Sequence, residues 1–305
     1  MRSTPSKKTA LDRKREKSGF ILVVALSILA ALATLASTYS VYVGDAAFAT
    51  QINDDRLRIR TAISAGIELT AYKLGAVPEV ARPPQGAFAV RLARSTINVT
   101  FESEGARVDL NAAPKGMLAG LFAAVGASPS DAAIYADRVI GWRKKGDVAG
   151  QNDEAAMYKA AGYAYAPRQA PFQNSFELSL VLGIPTHIVA RVLPLVTVFS
   201  GRAEIDVRVA GPDVLSALPN VTPEQLQKVL AERARDPQDG EALLRLLGPA
   251  RAGATDTPNP AARVQAQIRL DNGRSAHAEI VILVLQGEDE PFRVLSWRDD
   301  SDLPI

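Results

Sequence analysis

The sequence predicts an α+β fold in which one long N-terminal helix packs on an antiparallel sheet, with a large helical domain inserted between strands of that sheet. Three observations carry this reading. Residues 18–44 hold no charged side chain and are mostly Leu, Ile, Val and Ala, and Ile59, Ile63, Ile67, Ala71 and Leu74 then continue at helical spacing. Alternating apolar runs follow the helix and return near the C-terminus. Between them the chain is rich in Ala and Leu at helical spacing, with clear helix starts and stops.

The N-terminal helix comes first. About 20 apolar helical residues cross a bilayer core, so residues 20–43 suffice for a single span. Residues 1–19 carry seven basic residues against Asp12 and Glu16, a net charge of +5 that holds this end in the cytoplasm and sends the rest outward. A cleaved secretory signal has the same general form. Here, however, the apolar run is longer than a usual signal core, and no small-x-small cleavage site stands at a sensible distance. Beyond the span, polar Asp54, Asp55, Arg56, Arg58 and Arg60 flank the apolar stripe, which reads as ordinary core contact, and Gly75 and Pro78 stop the helix.

After a Pro-rich turn at 81–85 the period changes from helical to alternating. Phe88, Val90 and Leu92 form one strand, Ile97, Val99 and Phe101 a second, and 107–110 a third, giving a short antiparallel meander. The helical region begins at Asn111. Ser128-Pro129-Ser130-Asp131 is an N-cap with Pro at the first helical position, leading into Ile134, Val139 and Trp142. Thr222-Pro223-Glu224-Gln225 repeats the device ahead of Leu226, Val229 and Leu230. Residues 176–182 and 189–195 flank Gly183-Ile184-Pro185 as a further helix, turn and helix. An internal echo links 108–113 with 205–210: each passes from a short β-like run through a small-residue turn into a helix. Residues 253–260 form a Gly/Pro linker. Alternation returns in Val264, Ala266, Ile268 and Leu270, Asn272-Gly273 marks a hairpin, and a return strand at 276–285 precedes Phe292, Val294 and Trp297.

Composition excludes several functions. The whole chain carries +2 and its first 19 residues +5, leaving about −3 on the remainder, which gives no electrostatic reason to bind nucleic acid. There is no Cys, so disulfides, thiolate metal sites and Cys nucleophiles are excluded. No nucleophile elbow, phosphate-binding Gly loop or zinc-protease motif occurs, and His187 and His277 read as structural or surface residues. The chain is expected not to be an enzyme and to need no cofactor. Helix–turn–helix pieces also permit a helix-hairpin-helix DNA-binding module. Its Gly-hydrophobic-Gly hairpin is missing from 125–127, 182–184 and 219–221. A membrane-tethered periplasmic enzyme would need an active site that the sequence does not offer.

The junction Lys17-Ser18-Gly19-Phe20-Ile21-Leu22 resembles the class III leader of type IV pilins and secretion pseudopilins, and the order of long helix then meander is similar to theirs. That resemblance implies cleavage after Gly19 by a prepilin peptidase, with Phe20 as a methylated mature N-terminus. Most such subunits carry Glu at the fifth mature position, where this chain has Val24. A carboxylate in the bilayer costs roughly 2.5 to 3.5 kcal/mol on insertion scales and needs a neighbouring subunit's amine, so its absence resembles the tip subunit of the type II secretion pseudopilus, the minor pseudopilin K family. The Asp-hydrophobic-Asn-x-Ala-Pro form of 109–114 and an α-domain inserted into a pilin-like sheet extend the resemblance over nearly the whole chain. The second copy departs from it, with Arg208 for Asn and Gly211 before Pro212.

The resemblance sets the expected organisation: leader 1–19, transmembrane helix 20–43, the rest of the helix and first strands 44–110, inserted α-domain 111–252 and C-terminal strands 253–305. The expected role is a minor pseudopilin at the fibre tip for protein export across the outer membrane, with a minor pilin of an adhesion or DNA-uptake pilus as the alternative. Expected partners are other minor pseudopilins through the N-terminal helix, the prepilin peptidase and the inner-membrane secretion platform. The periplasmic domain would be anchored in the bacterial inner membrane by a single span. In the family a Trp-x-Asp-x-Asp run followed by Gly-x-Glu and Tyr contributes to calcium sites. Asp147, Asp153 and Glu154 are the corresponding candidate oxygen ligands, but Lys144 replaces the first Asp, which favours a solvated loop.

Overall fold

The computed structural model describes residues 7–144, 154–286 and 290–300. The chain divides into two compact units, Met1–Arg58 and Ile59–Ile305. Helix α1, Lys7–Gly75, contributes to both and ends at the predicted glycine. Its segment within the second unit buries Ile59, Ala62, Ile63, Ile67, Ala71 and Leu74, the whole predicted stripe.

Strands β1 (Gln85–Leu92) and β2 (Ser95–Ser103) form a hairpin and a short β3 (Val108–Asp109) follows. The helical region then runs through α2 (Lys115–Ala124), α3 (Pro129–Arg143), α4 (Glu154–Ala160), a 3-10 turn at Ser175–Leu180 and α5 (Thr186–Val192) to β4 (Val196–Thr197). It continues with β5 (Ile205–Asp206), α6 (Pro212–Ser216), α7 (Pro223–Arg235), α8 (Gly240–Leu247) and β6 (Ala254–Thr255). Strands β7 (Ala261–Leu270), β8 (Ser275–Val284) and β9 (Phe292–Asp299) complete a five-stranded antiparallel sheet of order β1-β2-β7-β8-β9. The helical region is therefore strung between two neighbouring strands, β2 and β7.

Two apolar cores result. One joins α1 to the inner face of the sheet through Ile97, Val99, Phe101, Val264, Ile268, Ile280 and Ile282. The other lies inside the helical region around Leu118, Leu121, Phe122, Val139, Tyr158, Ile205 and Leu215. Both predicted caps form: Ser128 Oγ accepts from Asp131 N, and Thr222 with Gln225 makes a full capping box. Helix α2 ends in a Schellman arrangement. Gly126 sits at φ +100°, Gly126 N donates to Ala123 O at 2.9 Å, and Ala127 N donates to Phe122 O at 3.0 Å.

The structure corrects several readings. The third strand of the expected meander does not join the main sheet: β3 pairs in parallel with β4. Ser103 Oγ accepts from Gly105 N and starts a 3-10 turn at Glu104–Ala106 that ends the β2 pairing. Val108 and Leu110, assigned by pattern to the sheet, belong to the helical core, as does Ala254 beyond the expected 252 boundary. The Asn-Gly hairpin forms, but Asn272 keeps a negative φ and Gly273 alone takes φ +88°, with Gly273 N donating to Leu270 O at 3.0 Å. This is a turn closed by a left-handed glycine rather than a two-residue loop with both central residues left-handed. Alternation is also irregular toward β9, where the register shifts between Val281 and Ile282. Ile134 of the α3 stripe is half exposed, and Ala132, Ala136, Val139 and Trp142 make the buried face instead.

Candidate functional site

Within the first unit, Gly19 lies inside continuous helix and Phe20 and Val24 follow on it, both side chains exposed. The segment from Phe20 is the one helix among the described residues long and apolar enough to cross a membrane. Three of its hydroxyls are satisfied by the helix backbone. Ser27 Oγ donates to Val23 O at 2.9 Å, Thr34 Oγ1 to Ala31 O at 2.8 Å and Thr38 Oγ1 to Leu35 O at 2.9 Å. Polar groups spent on i−3 and i−4 carbonyls leave an outer surface that lipid tolerates.

Of the segment singled out for cation binding, Trp142 and Tyr158 are core residues. Trp142 stacks on Phe172 with centroids 6.0 Å apart and lies 6.1 Å from Tyr158. Leu182 N donates to Tyr158 Oη at 2.8 Å, and burial pushes the Tyr158 hydroxyl up to about 12. Of the three candidate calcium ligands, Asp147 and Asp153 lie outside the described residues. Glu154 opens α4 with both carboxylate oxygens accepting from Arg138 Nη1, at 3.1 and 3.0 Å. Gly141 makes room for this pair, since a Cβ there would stand 2.9 Å from Glu154 Oε2. Glu177 is likewise committed, accepting from Trp142 Nε1 at 3.3 Å, Arg168 Nη1 at 3.3 Å and Gln173 N at 3.1 Å. Among the described residues no three acidic or His side chains converge to hold a metal ion. His187 and His277 are both exposed.

The internal echo is a structural duplication. In the first copy Asp109 Oδ1 accepts from Asn111 N at 2.7 Å, and in the second Asp206 Oδ1 accepts from Arg208 N at 3.0 Å. Each Asp closes an Asx-type turn and sits in a two-residue parallel bridge, β3 with β4 and β5 with β6. Each turn is then locked by an arginine late in the second helix of its copy. Arg143 donates to the carbonyls of Leu110 and, at 2.7 Å, Ala113. Arg233 donates to those of Val207 at 3.3 Å and Ala210 at 2.6 Å. Burial lowers both guanidiniums, partly offset by Asp109 and Asp206 respectively. The copies differ where the motif is degenerate. Asn111 exchanges two hydrogen bonds with the Phe172 backbone, at 2.9 and 2.7 Å, whereas Arg208 folds back onto Asp206 at 2.7 Å.

A buried ionic cluster ties the helical region to the sheet. Glu104 is fully buried, with Arg263 Nε at 2.8 Å from Oε1 and Nη2 at 3.2 Å from Oε2, and the Thr197 hydroxyl also donates to it. Arg107 bonds Glu102 at 2.6 Å, and Arg298, which pairs with Glu279, covers the Phe176 ring at 5.2 Å. Burial raises the pKa of Glu279, but the Arg263 and Arg298 guanidiniums overcome it and hold this carboxyl below its ordinary range. Its stabilisation is complete above the unfolded pKa and is lost as pH falls through the lower folded one. Glu279→Gln is accordingly expected to lower the melting temperature most near neutral pH and to flatten the acid limb of its pH dependence, the gap from the parent protein shrinking as pH falls.

Residues 96–201 match the family model described as type II secretion system (T2SS), protein K. The match opens at β2 and closes just after β4, so it takes in the first Asp-turn copy. Among curated proteins none matches the chain. The fold is similar to that of a chain in the crystal structure of the GspK-GspI-GspJ complex from the enterotoxigenic Escherichia coli type 2 secretion system. The TM-score is 0.57 at 17% identity, over 82% of this chain and 98% of that chain.

Proposed function

We infer that this chain is a minor pseudopilin of a type II secretion system, of the protein K kind. The observation that carries the reading is a protein K domain at 96–201, set into a sheet that packs on a long N-terminal helix. The role in this reading is structural.

The finer assignments extend from there. The apolar segment from Phe20 anchors the chain in the bacterial inner membrane, with residues 1–19 cytoplasmic and the second unit periplasmic. A prepilin peptidase removes the leader between Gly19 and Phe20. Val24 brings no carboxylate into the bilayer and so asks for no preceding subunit's amine, which suits the first position in a fibre. The helical region then caps that fibre, the helix docks on sibling minor pseudopilins, and the inner-membrane platform drives extraction from lipid. A soluble fragment beginning near Thr50 is expected to co-purify with the other minor pseudopilins of the same system. Failure to retain any of them would count against the tip assignment.

Calcium has no part in this reading, because the Arg138 guanidinium supplies the positive charge that Glu154 needs. Calorimetric titration with calcium is expected to give no heat and no change in melting temperature. A saturable heat would return Asp147, Asp153 and Glu154 to the role of ligands.

A further inference from the structure

The corner after α1 holds a buried arginine with no carboxylate against it. Arg82 is 4% exposed. Its Nε donates to Leu74 O at 3.1 Å, placing the guanidinium at the C-terminal end of α1, where the helix carries partial negative charge. Its Nη2 is buried without a hydrogen-bond partner. Burial lowers the affinity of this group for its proton, and Glu79 offsets the effect only in part. An ionised guanidinium taken out of water needs more compensation than half a helix dipole.

Arg82 lines a cavity of about 10 Å³ between the end of α1, the end of β2 and the linker into β7. That volume suits one water-sized particle. The polar side chains at its wall are Arg82, Ser103 and Asn259. Asn259 is held in place, with Nδ2 donating to Ser200 O at 2.9 Å and Oδ1 accepting from Ala261 N at 2.9 Å, and its second amide N–H remains to donate. Ser103 Oγ accepts from Gly105 N at 3.1 Å and keeps its own proton to donate. The remaining wall is rich in proline, and the carbonyls of Pro84, Pro258 and Pro260 already accept from Ser103 N, Arg202 Nη1 and Val284 N. The side chains therefore offer unspent donors beside a net positive charge, and the guest they suit is an acceptor.

We propose that this cavity is a binding site for one small monovalent anion of the size of chloride, held by Arg82 Nη2 and the Ser103 hydroxyl. The anion completes the charge balance at the point where α1, the sheet and the linker to the helical region meet. A water there would satisfy the hydrogen bonds in part and leave the charge uncompensated.

The test uses the full-length protein in detergent, melted at constant ionic strength while sodium gluconate is replaced by sodium chloride. The melting temperature is expected to rise by roughly 2–4 °C once chloride exceeds its Kd about fivefold, and Arg82→Met is expected to abolish the rise. Ser103→Ala, which keeps the Arg82 bond to Leu74, serves if Arg82→Met does not fold, and is expected to move the chloride midpoint to higher concentration. Crystals grown in sodium bromide are expected to show an anomalous peak against Arg82 Nη2. A melting temperature indifferent to chloride, a chloride effect unchanged in both variants, or a water peak with no anomalous signal would overturn the assignment.

Discussion

Replacing Gly120 by alanine is expected to destabilise the helical region by about 3 kcal/mol, the upper end of the usual cost of overpacking. A Cβ at this position would stand 2.3 Å from the carbonyl oxygen of Ala217, 2.9 Å from its carbonyl carbon and 3.0 Å from its Cα. These are backbone atoms at the end of α6, so no side chain can rotate away. Relief requires α2 and α6 to separate, and with them the two copies of the Asp-turn module. Gly116 in the same helix is the control, because a Cβ there meets only Pro219 Cγ, at 3.5 Å. Gly116→Ala is expected to be neutral or mildly stabilising through helix propensity. Thermal unfolding followed by circular dichroism distinguishes the two. Equal melting temperatures would mean that these helices do not meet as described.

The second large effect is expected at Glu104. Truncation to alanine removes the buried carboxylate that neutralises Arg263 and accepts from Thr197. Breaking a buried pair in this way costs about 3–5 kcal/mol, because the remaining charge stays behind uncompensated. Glu279 still faces Arg263 at 3.3 Å, which places the expected loss toward the lower end of that range. The damage should be local to the junction. Hydrogen exchange is expected to quicken at β3, β4 and the start of β7, while the interior of α2 and α3 keeps its protection. Uniform loss of protection would show instead that the cluster holds up the whole unit.

The parts of the fold readable in sequence are those where one local signal dominates. The α1 stripe from Ile59 to Leu74 is a 3.6-residue period buried on one side, and all five predicted positions are buried. Ser128 and Thr222 cap as expected because a cap depends on only three or four residues. What failed depended on distant partners. Val108 and Leu110 alternate as a strand would, but the 3-10 turn at Glu104 redirects them into the helical core. Arg143 and Arg233 look like ordinary charges at helix ends, and nothing local says that each reaches back to the turn that begins its copy. Trp142 and Tyr158 are packed as core aromatics and Glu154 pairs with an arginine one helix away, contacts that residue type and spacing do not announce.

The pairing of β2 with β7 has a consequence for the order of folding. Glu104 and Arg263 meet although 159 residues apart in the chain, and closing a flexible loop of that length costs roughly 4 to 5 kcal/mol in chain entropy. The parallel bridges β3–β4 and β5–β6 change that arithmetic. Each brings the two ends of one helical copy together, so once both copies have formed, β2 and β7 are separated by only a few links of free chain. The central pair of the sheet thereby becomes a nearly local contact. The helical region acts as the template on which the sheet closes, so a variant that slows the helices should slow the sheet as well, even where it touches none of its strands.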